Sequence, residues 1–257
     1  MSSRTIHLYN NWHLGDGVFM MNYLFQIRDF LVENDIKIVY HCKGMYKTQL
    51  AEFAPPSAVR IEALETAPPP AGAIDTWMRH SFATCPKYPF NEFLRLHSNR
   101  LAGILGFPKI SSFFYKDEDL LTRYNQMPDV AKNVDVLLIN ATPQSFQYNY
   151  VKSHWDQLAY DLVAAGYKII TTSIVSPGIE CTLKYKYSVK DIAAISTHAK
   201  YIVAVNSGPV AGCLNAYTIA SVKKWFVFDK DVFYKYPTMQ MCSRLDEVYD
   251  ELLRGSP

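Results

Sequence analysis

The 257-residue chain lacks a strong charge of either sign: 26 basic side chains stand against 24 acidic ones, a formal net charge of +2. Binding to nucleic acid by charge alone needs a concentrated basic surface, so this balance gives no reason to expect it. Paired cysteines are missing too. The five present, Cys42, Cys85, Cys181, Cys213 and Cys242, are scattered, odd in number and form no C-x-x-C pair. That argues against a disulfide framework or a structural zinc site and fits a reducing compartment. No apolar run reaches the length of a membrane span, and residues 1–17 (MSSRTIHLYNNWHLGDG) hold no signal-peptide core. The expectation is a cytoplasmic protein, with room for contact at the inner face of the membrane. Several catalytic signatures are also absent. G-x-S-x-G, H-E-x-x-H and G-x-x-x-x-G-K-S/T do not occur, and Gly15-Asp16-Gly17 supplies only the first three positions of a G-x-G-x-x-G turn. This weakens serine-hydrolase, zinc-protease, P-loop and ordinary dinucleotide readings.

What is present is a globular composition, 49% hydrophobic, in a chain long enough for one large or two small domains. Short β-type apolar runs alternate with helical stretches. Thr5–Tyr9 and Lys37–His41 read as strands around a helix over 18–32, with Lys47–Phe53 a short helix and Val59–Leu64 a further strand. A helix over 91–105 ends at Gly106. Later strands are expected at 134–139, 167–171, 201–205 and 224–228, with helices over 156–165, 189–198, from Val210 to about Tyr217, and 245–253. Such alternation predicts α/β architecture with parallel sheets, in two Rossmann-like domains. The polar stretch 116–133 reads as the linker. The expected domains are 1–128, for an acceptor, and 129–257, for a nucleotide-sugar donor, with the final helix able to pack back on the first. In open parallel sheets ligands sit beyond the carboxyl ends of the strands, so two such edges facing each other would form an interdomain cleft.

Three turns on those edges carry the polar chemistry. In the first, Asp16 stands between Gly15 and Gly17, residues that let a ligand approach backbone. Asp16 is a candidate general base or, on the simpler reading, an N-terminal capping residue; His13 is a second candidate base. The second is the long connection Asn140–Trp155, where Thr142 and Ser145 offer hydroxyls and Lys152 a point charge to a phosphate. The third is Tyr201–Tyr217. Its turn, Asn206, Ser207, Gly208, Pro209 and Val210, leads an apolar strand into a helix and aims free N–H groups at one point. It is either an anion seat or a well-capped turn without a ligand. Asp-x-Asp triplets at 117–119 and 229–231 invite a metal, but the first lies in the polar stretch and Lys230 opposes a cation at the second. The stretch 73–100 holds Trp77, Arg79, His80, Lys87, Tyr88, Arg95, His97 and Arg100 against only Asp75 and Glu92, either a surface for an anionic glycan, a phospholipid-linked acceptor or nucleic acid, or a solvated helix face with its loop.

Taken in order, these turns resemble the heptosyltransferases, glycosyltransferase family 9 of the GT-B fold. The likeness rests on Gly15-Asp16, Ala141-Thr142, His154-Trp155 and the run Asn206–Ala211, which is similar to the family's Asp-Ser/Thr-Gly-x-x-His. The resemblance implies an inverting transfer from a nucleotide-diphosphate sugar to a glycan or glycolipid, with no metal and no cofactor beyond the donor. Asp16 takes the place of the base, and Thr142 and Ser207-Gly208 those of the phosphate ligands. Lys152 lies near the family's lysine but displaced, and Gly178 and Glu180 fall near the nucleoside. Asn206 and Ala211 stand where the family has Asp and His. These departures leave room for a binding-only relative. A nucleic-acid-modifying transferase is a third reading.

Overall fold

The structure is a computed structural model that describes residues 4–64, 68–77, 88–144, 147–176 and 178–255. It divides into two compact units, Met1–Lys116 and Asp117–Pro257. In the first, β1 (Arg4–Asn10), β2 (Ile36–Lys43), β3 (Val59–Leu64) and β4 (Ile74–Asp75) form one sheet in the order β3-β2-β1-β4, every pairing parallel. Parallel neighbours need crossovers, which α1 (Leu14–Gln26), α2 (Arg28–Glu33) and α3 (Lys47–Phe53) help provide. The helix expected over 18–32 is therefore longer and broken. It begins four residues earlier, at Leu14, because His13 and Asp16 make a capping box, and it pauses at Ile27, whose bridge-region backbone (φ −104°, ψ 13°) separates α1 from α2. The next helix, α4 (Phe90–Leu105), buries Phe93, Leu94, Leu101 and Leu105. Gly106 ends it with φ at 71°, a left-handed cap that other residues adopt with strain.

The second unit opens with α5 (Glu118–Gln126), inside the stretch expected to be a linker. Its polar residues are committed to folding. The Asp117 carboxylate caps the helix by accepting the Asp119 N–H at 3.0 Å. The Lys190 ammonium, 6% exposed, lies 2.9 Å from both Asp117 and Asp119. Arg123 joins Asp119 to Asp191, each at 2.9 Å. The charge run thus pins α5 to α7 (Val189–Ser196).

Here β5 (Val136–Ile139), β6 (Ile169–Thr171), β7 (Tyr201–Val205), β8 (Lys224–Phe228) and β9 (Met239–Cys242) form a wholly parallel sheet in the order β6-β5-β7-β8-β9. Its strands are apolar on both faces, as sheets covered on two sides require. On one face α6 (Lys152–Ala164) sets Trp155, Leu158 and Leu162 against Val136, Leu138, Val203, Phe226 and Phe228. Full burial of such side chains stabilises by about 1.5–3 kcal/mol each. The helix expected from Val210 to about Tyr217 is two pieces, α8 (Gly208–Cys213) and α9 (Ala216–Ser221). The break has a cause at Asn215, whose side chain accepts the Thr218 N–H at 2.9 Å and starts the second piece. The final helix is α10 (Asp246–Tyr249), continued by a π-helical turn, Asp250–Arg254. Among the described residues no helix is long and apolar enough to cross a membrane.

Candidate functional site

In the first unit Asp16 is not in an open loop. It is the third residue of α1, directly beyond the carboxyl end of β1. Its carboxylate accepts the His13 N–H at 3.3 Å, half of a capping box. The capping reading is thus real, but it does not exhaust the residue. Asp16 also lines a narrow pocket with Phe19, Thr76, Leu94, His97 and Phe113. Burial there raises its carboxyl above the ordinary aspartate range, opposed by the His13 N–H and then by the His13 charge. A carboxylate held short of full solvation is a stronger base than one in water. His13 is the residue before the helix, within reach of Asp16 through its backbone.

The flanking glycines divide. Gly15 lies in the first turn beside Asp16. Gly17 is buried, and a Cβ there would come within 2.7 Å of Leu50. Its lack of a side chain serves the contact of α1 with α3, where the sequence suggested closeness to a ligand. The basic surface over 73–100 also contracts. Arg79, His80 and Lys87 lie outside the described residues. Arg95 is paired with Glu92, and His97 is buried, its imidazole pushed down to about 4 by desolvation and so neutral at physiological pH. His97 meets the Thr76 carbonyl at 3.3 Å and is a core residue, not an acceptor-facing cation.

Asn10 and Asp75, each the last residue of its strand, act alike. Asn10 Oδ1 accepts the Trp12 N–H at 2.9 Å, and Asp75 Oδ1 the Trp77 N–H at 2.8 Å. The two strands are neighbours, so the two indoles meet and stack, with centroids 4.0 Å apart and planes inclined by 15°.

In the second unit, asparagine or aspartate again follows three strands: Asn140 after β5, Asn206 after β7 and Asp229 after β8. Asn140 is fully buried. Its Oδ1 accepts the N–H groups of Thr172 and Ser173 at 3.1 and 3.0 Å, and its own N–H donates to Thr172 Oγ1 at 3.1 Å. Asn206 donates from Nδ2 to Asp229 at 2.8 Å and accepts the Tyr234 hydroxyl at 3.3 Å. Its carbonyl accepts Gln147 Nε2 at 2.6 Å, while the Gln147 carbonyl accepts the Lys230 N–H at 2.8 Å. The turns after β5, β7 and β8 are thereby drawn into one polar cluster. Asp229 is nearly buried, which raises its carboxyl; the N–H groups of Asp231 and Val232 and the Asn206 amide oppose that rise. The Asp-Lys-Asp triplet is an aspartate turn closed on its own backbone.

Ser207 precedes α8 and donates its hydroxyl back to the Val205 carbonyl at 3.0 Å, so it does not cap the helix. The N–H groups of Ser207 and Gly208 have no hydrogen-bond partner among the described residues. Pro209 fills the second helical position and Val210 is buried, its N–H returning to the Ser207 carbonyl at 3.0 Å. Thr142 is exposed. Ser145 lies outside the described residues. Lys152 is not in a loop: it opens α6 and its ammonium sits 2.5 Å from Asp156, one helical turn away. Glu180 follows β6 and is held below the usual glutamate range chiefly by the Tyr185 hydroxyl, which donates to it at 2.6 Å. A cavity of about 470 Å³ opens beside the start of α6, lined by Tyr148, Val151, His154, Trp155, Arg244 and Asp246. None of the residues singled out in 206–210 reaches it.

The roles of Asn140, Gln147 and Asp229 escape a reading of motifs. For Asn140 and Asp229 the signal is positional, an Asn or Asp directly after a four- or five-residue apolar strand; Gln147, within a long loop, leaves none.

No protein-family model matches this chain, and no curated protein sequence does. Solved structures do match. Heptosyltransferase WaaC of E. coli, solved with ADP-2-deoxy-2-fluoro heptose, is 14% identical with a TM-score of 0.65, over 98% of this chain and 100% of that one. A glycosyl transferase of family 9 from Veillonella parvula gives 12% and 0.55, over 100% and 92%. E. coli ADP-heptose lps heptosyltransferase II gives 11% and 0.54, over 93% and 90%. The fold is that of the heptosyltransferase structures.

Proposed function

We propose that this protein is a glycosyltransferase that moves a sugar from a nucleotide-diphosphate sugar to a glycan or glycolipid acceptor. The observation that carries the reading is Asp16: a carboxylate of raised basicity, fixed by a capping box at the carboxyl edge of a parallel sheet, in a fold shared with heptosyltransferases. The nucleotide sugar bound in the WaaC structure supports a donor of the same class. The reaction is a single displacement with inversion. Asp16 takes the acceptor hydroxyl proton as the oxygen attacks the anomeric carbon, and the bond to the nucleoside diphosphate breaks. The acceptor and its base belong to the first unit and the donor to the second. In the second unit the N–H groups of Ser207 and Gly208, without a partner among the described residues, and the exposed Thr142 hydroxyl meet the diphosphate. Hydrogen-bond donors aimed at the leaving oxygens stabilise the charge that develops there, and no metal is needed for that step. Glu180, in the loop after β6, is the candidate contact for the nucleoside. Lys152, tied to Asp156, contributes only on leaving that partner.

The test is a thermal-shift titration of the purified protein with nucleoside diphosphates and nucleotide sugars, followed by assay of donor turnover. A nucleotide at a hundred times its Kd adds about 2.7 kcal/mol of stability. No shift with any nucleotide at millimolar concentration overturns the reading. One observation favours a second reading, a binding-only protein: Asn206 is an amide held by Asp229 where the resembling family has a carboxylate. Donor hydrolysis or transfer by the pure protein excludes it.

A further inference from the structure

Two of the four tryptophans, Trp155 and Trp225, are fully buried in the second unit. The other two are stacked on each other at the carboxyl edge of the first sheet, and Trp12 remains 41% exposed. Large aromatic rings are costly to leave in water, where each forgoes the burial that elsewhere stabilises the fold. This pair is held there by its own apparatus, the matched Asn10 and Asp75 turns on adjacent strands. Trp12 is also the residue directly before His13, four before Asp16. Beneath it Asn10, 4% exposed, uses Oδ1 on the Trp12 N–H and leaves Nδ2 without a hydrogen-bond partner among the described residues. A buried amide donor with no partner costs about 1–3 kcal/mol, so it marks a place where a polar guest restores what the fold leaves unmade.

We infer that the Trp12–Trp77 stack seats one neutral pyranose ring of the acceptor, its apolar face on the open face of Trp12 and its hydroxyls toward Asn10, Asp75 and Asp16. The ring system presents a negative π face, which attracts the outward C–H dipoles of a sugar ring. The rim supplies what hydroxyls need, an amide donor at Asn10 and a carboxylate acceptor at Asp75. The same carboxylate decides against the rival guest of an indole platform. A nucleotide would bring its phosphate charge toward Asp75, whereas a neutral sugar brings none. This rests on the proposed transfer reaction for its link to Asp16, and it extends that reaction by giving the acceptor a chemical class at the point of attack.

The four indole N–H groups give four resolvable signals in a nitrogen–proton correlation spectrum, assigned with W12F and W77F. Trp155 and Trp225 are the internal controls. Methyl β-D-glucopyranoside at millimolar concentration is expected to move the Trp12 and Trp77 signals and leave the other two in place. In W12F, which keeps a ring in the stack, the Trp77 signal still moves, by less. In W12A the sugar no longer moves it. Glucuronate, being anionic, is expected to produce a several-fold smaller shift than the neutral glucoside. The inference is overturned if the glucoside moves none of the four or all four alike, if W12A responds as the wild type does, or if adenosine moves the pair and the glucoside does not. Failure of the proposed reaction shows separately, in the nucleotide thermal shift. A protein that binds no nucleotide but passes the tryptophan test keeps the sugar seat and loses the transfer.

Discussion

At the carboxyl edge of the first sheet, the strand-ending residues Asn10 and Asp75 turn back on backbone N–H groups two positions ahead and hold a tryptophan pair, on the edge beyond which α1 carries a carboxylate of raised basicity. At the carboxyl edge of the second, Asn140 and Asn206 occupy the equivalent positions but bond sideways, to neighbouring turns, while Asp229 does both, holding the N–H two positions ahead and the Asn206 amide. The same short polar residues therefore make an open aromatic and acidic edge in one unit and a closed amide network in the other. The difference matches the partners proposed. A neutral acceptor that must lose a proton suits an edge with a base. An anionic diphosphate suits an edge that offers neutral amides and N–H donors without a partner among the described residues, with the buried acid Asp229 tied up by Asn206 and its own turn.

The sharpest break of this contrast is at Asp16. Asp16→Asn is expected to lower transfer by about 10²–10⁴-fold, the usual share of a general base, with nucleotide binding unchanged by thermal shift. In the wild type, transfer should rise with pH through an apparent pKa above the ordinary aspartate value of about 3.9, and that limb should be lost in the variant. Stability moves the other way. Because burial raises the folded carboxyl, the folded state holds its proton more tightly, and the ionised form costs stability at neutral pH. Asp16→Asn keeps an acceptor for the His13 N–H and removes that cost. It should melt higher than the wild type at pH 7, the gap closing as pH falls below the raised value. Loss of the gap would mean Asp16 is an ordinary cap.

On the second edge, Asn140→Ala removes the acceptor of the half-buried Ser173 N–H and one of two acceptors of the Thr172 N–H, which keeps the Leu138 carbonyl at 3.0 Å, and should cost about 1 kcal/mol in denaturant unfolding. A neutral outcome would show that the network is decoration. Asn206→Asp sets a second carboxylate 2.8 Å from Asp229. Two acids that close resist ionising together, so the variant should lose about 1–2 kcal/mol at pH 7 and recover as the pH falls and one is protonated. Gained activity from that change would show instead that this edge wants the acid. The smallest effect is expected at Lys152. Removing its exposed pair with Asp156 should cost only about 0.3–0.5 kcal/mol. A tenfold or greater loss of nucleotide affinity in Lys152→Ala would assign it to the diphosphate after all.

How much of this could be read beforehand follows from what kind of signal each feature leaves. Short β-type runs between helical stretches suffice to announce β1, β2, β3 and β5 to β8; those of the second sheet are the clearest, because a strand buried on both faces is apolar nearly throughout. The strands that go unread are β4, two residues long, and β9, whose MQMC has no β-branched residue. Helix starts are misread wherever the cap is unorthodox. Histidine at the cap hides the beginning of α1, and valine that of α6, so Asp16 and Lys152 look like loop residues. Charge misleads over 116–133, since ions paired with Lys190 look on paper like ions facing water. Asp16 is legible as a candidate because its neighbours along the chain mark it. The Trp12–Trp77 stack is not, because its halves are far apart in sequence and meet only through the pairing of β1 with β4.

That pairing closes the first sheet by Asp75, and its last covering helix ends at Leu105. The second sheet stays incomplete until β9, at Met239–Cys242, can seal the edge of the apolar strand KWFVF. During synthesis the unit with the acid therefore has its full set of strands while most of its partner has yet to be made. The unit with the amides must wait for nearly the whole chain, holding a strand of unpaired backbone in the meantime. Chains fold domain by domain as they emerge, and exposed strand edges are where such intermediates associate wrongly. The order of strands thus sets a timetable as well as a shape, and the β8 edge is where a crowded cell would first need to protect this protein.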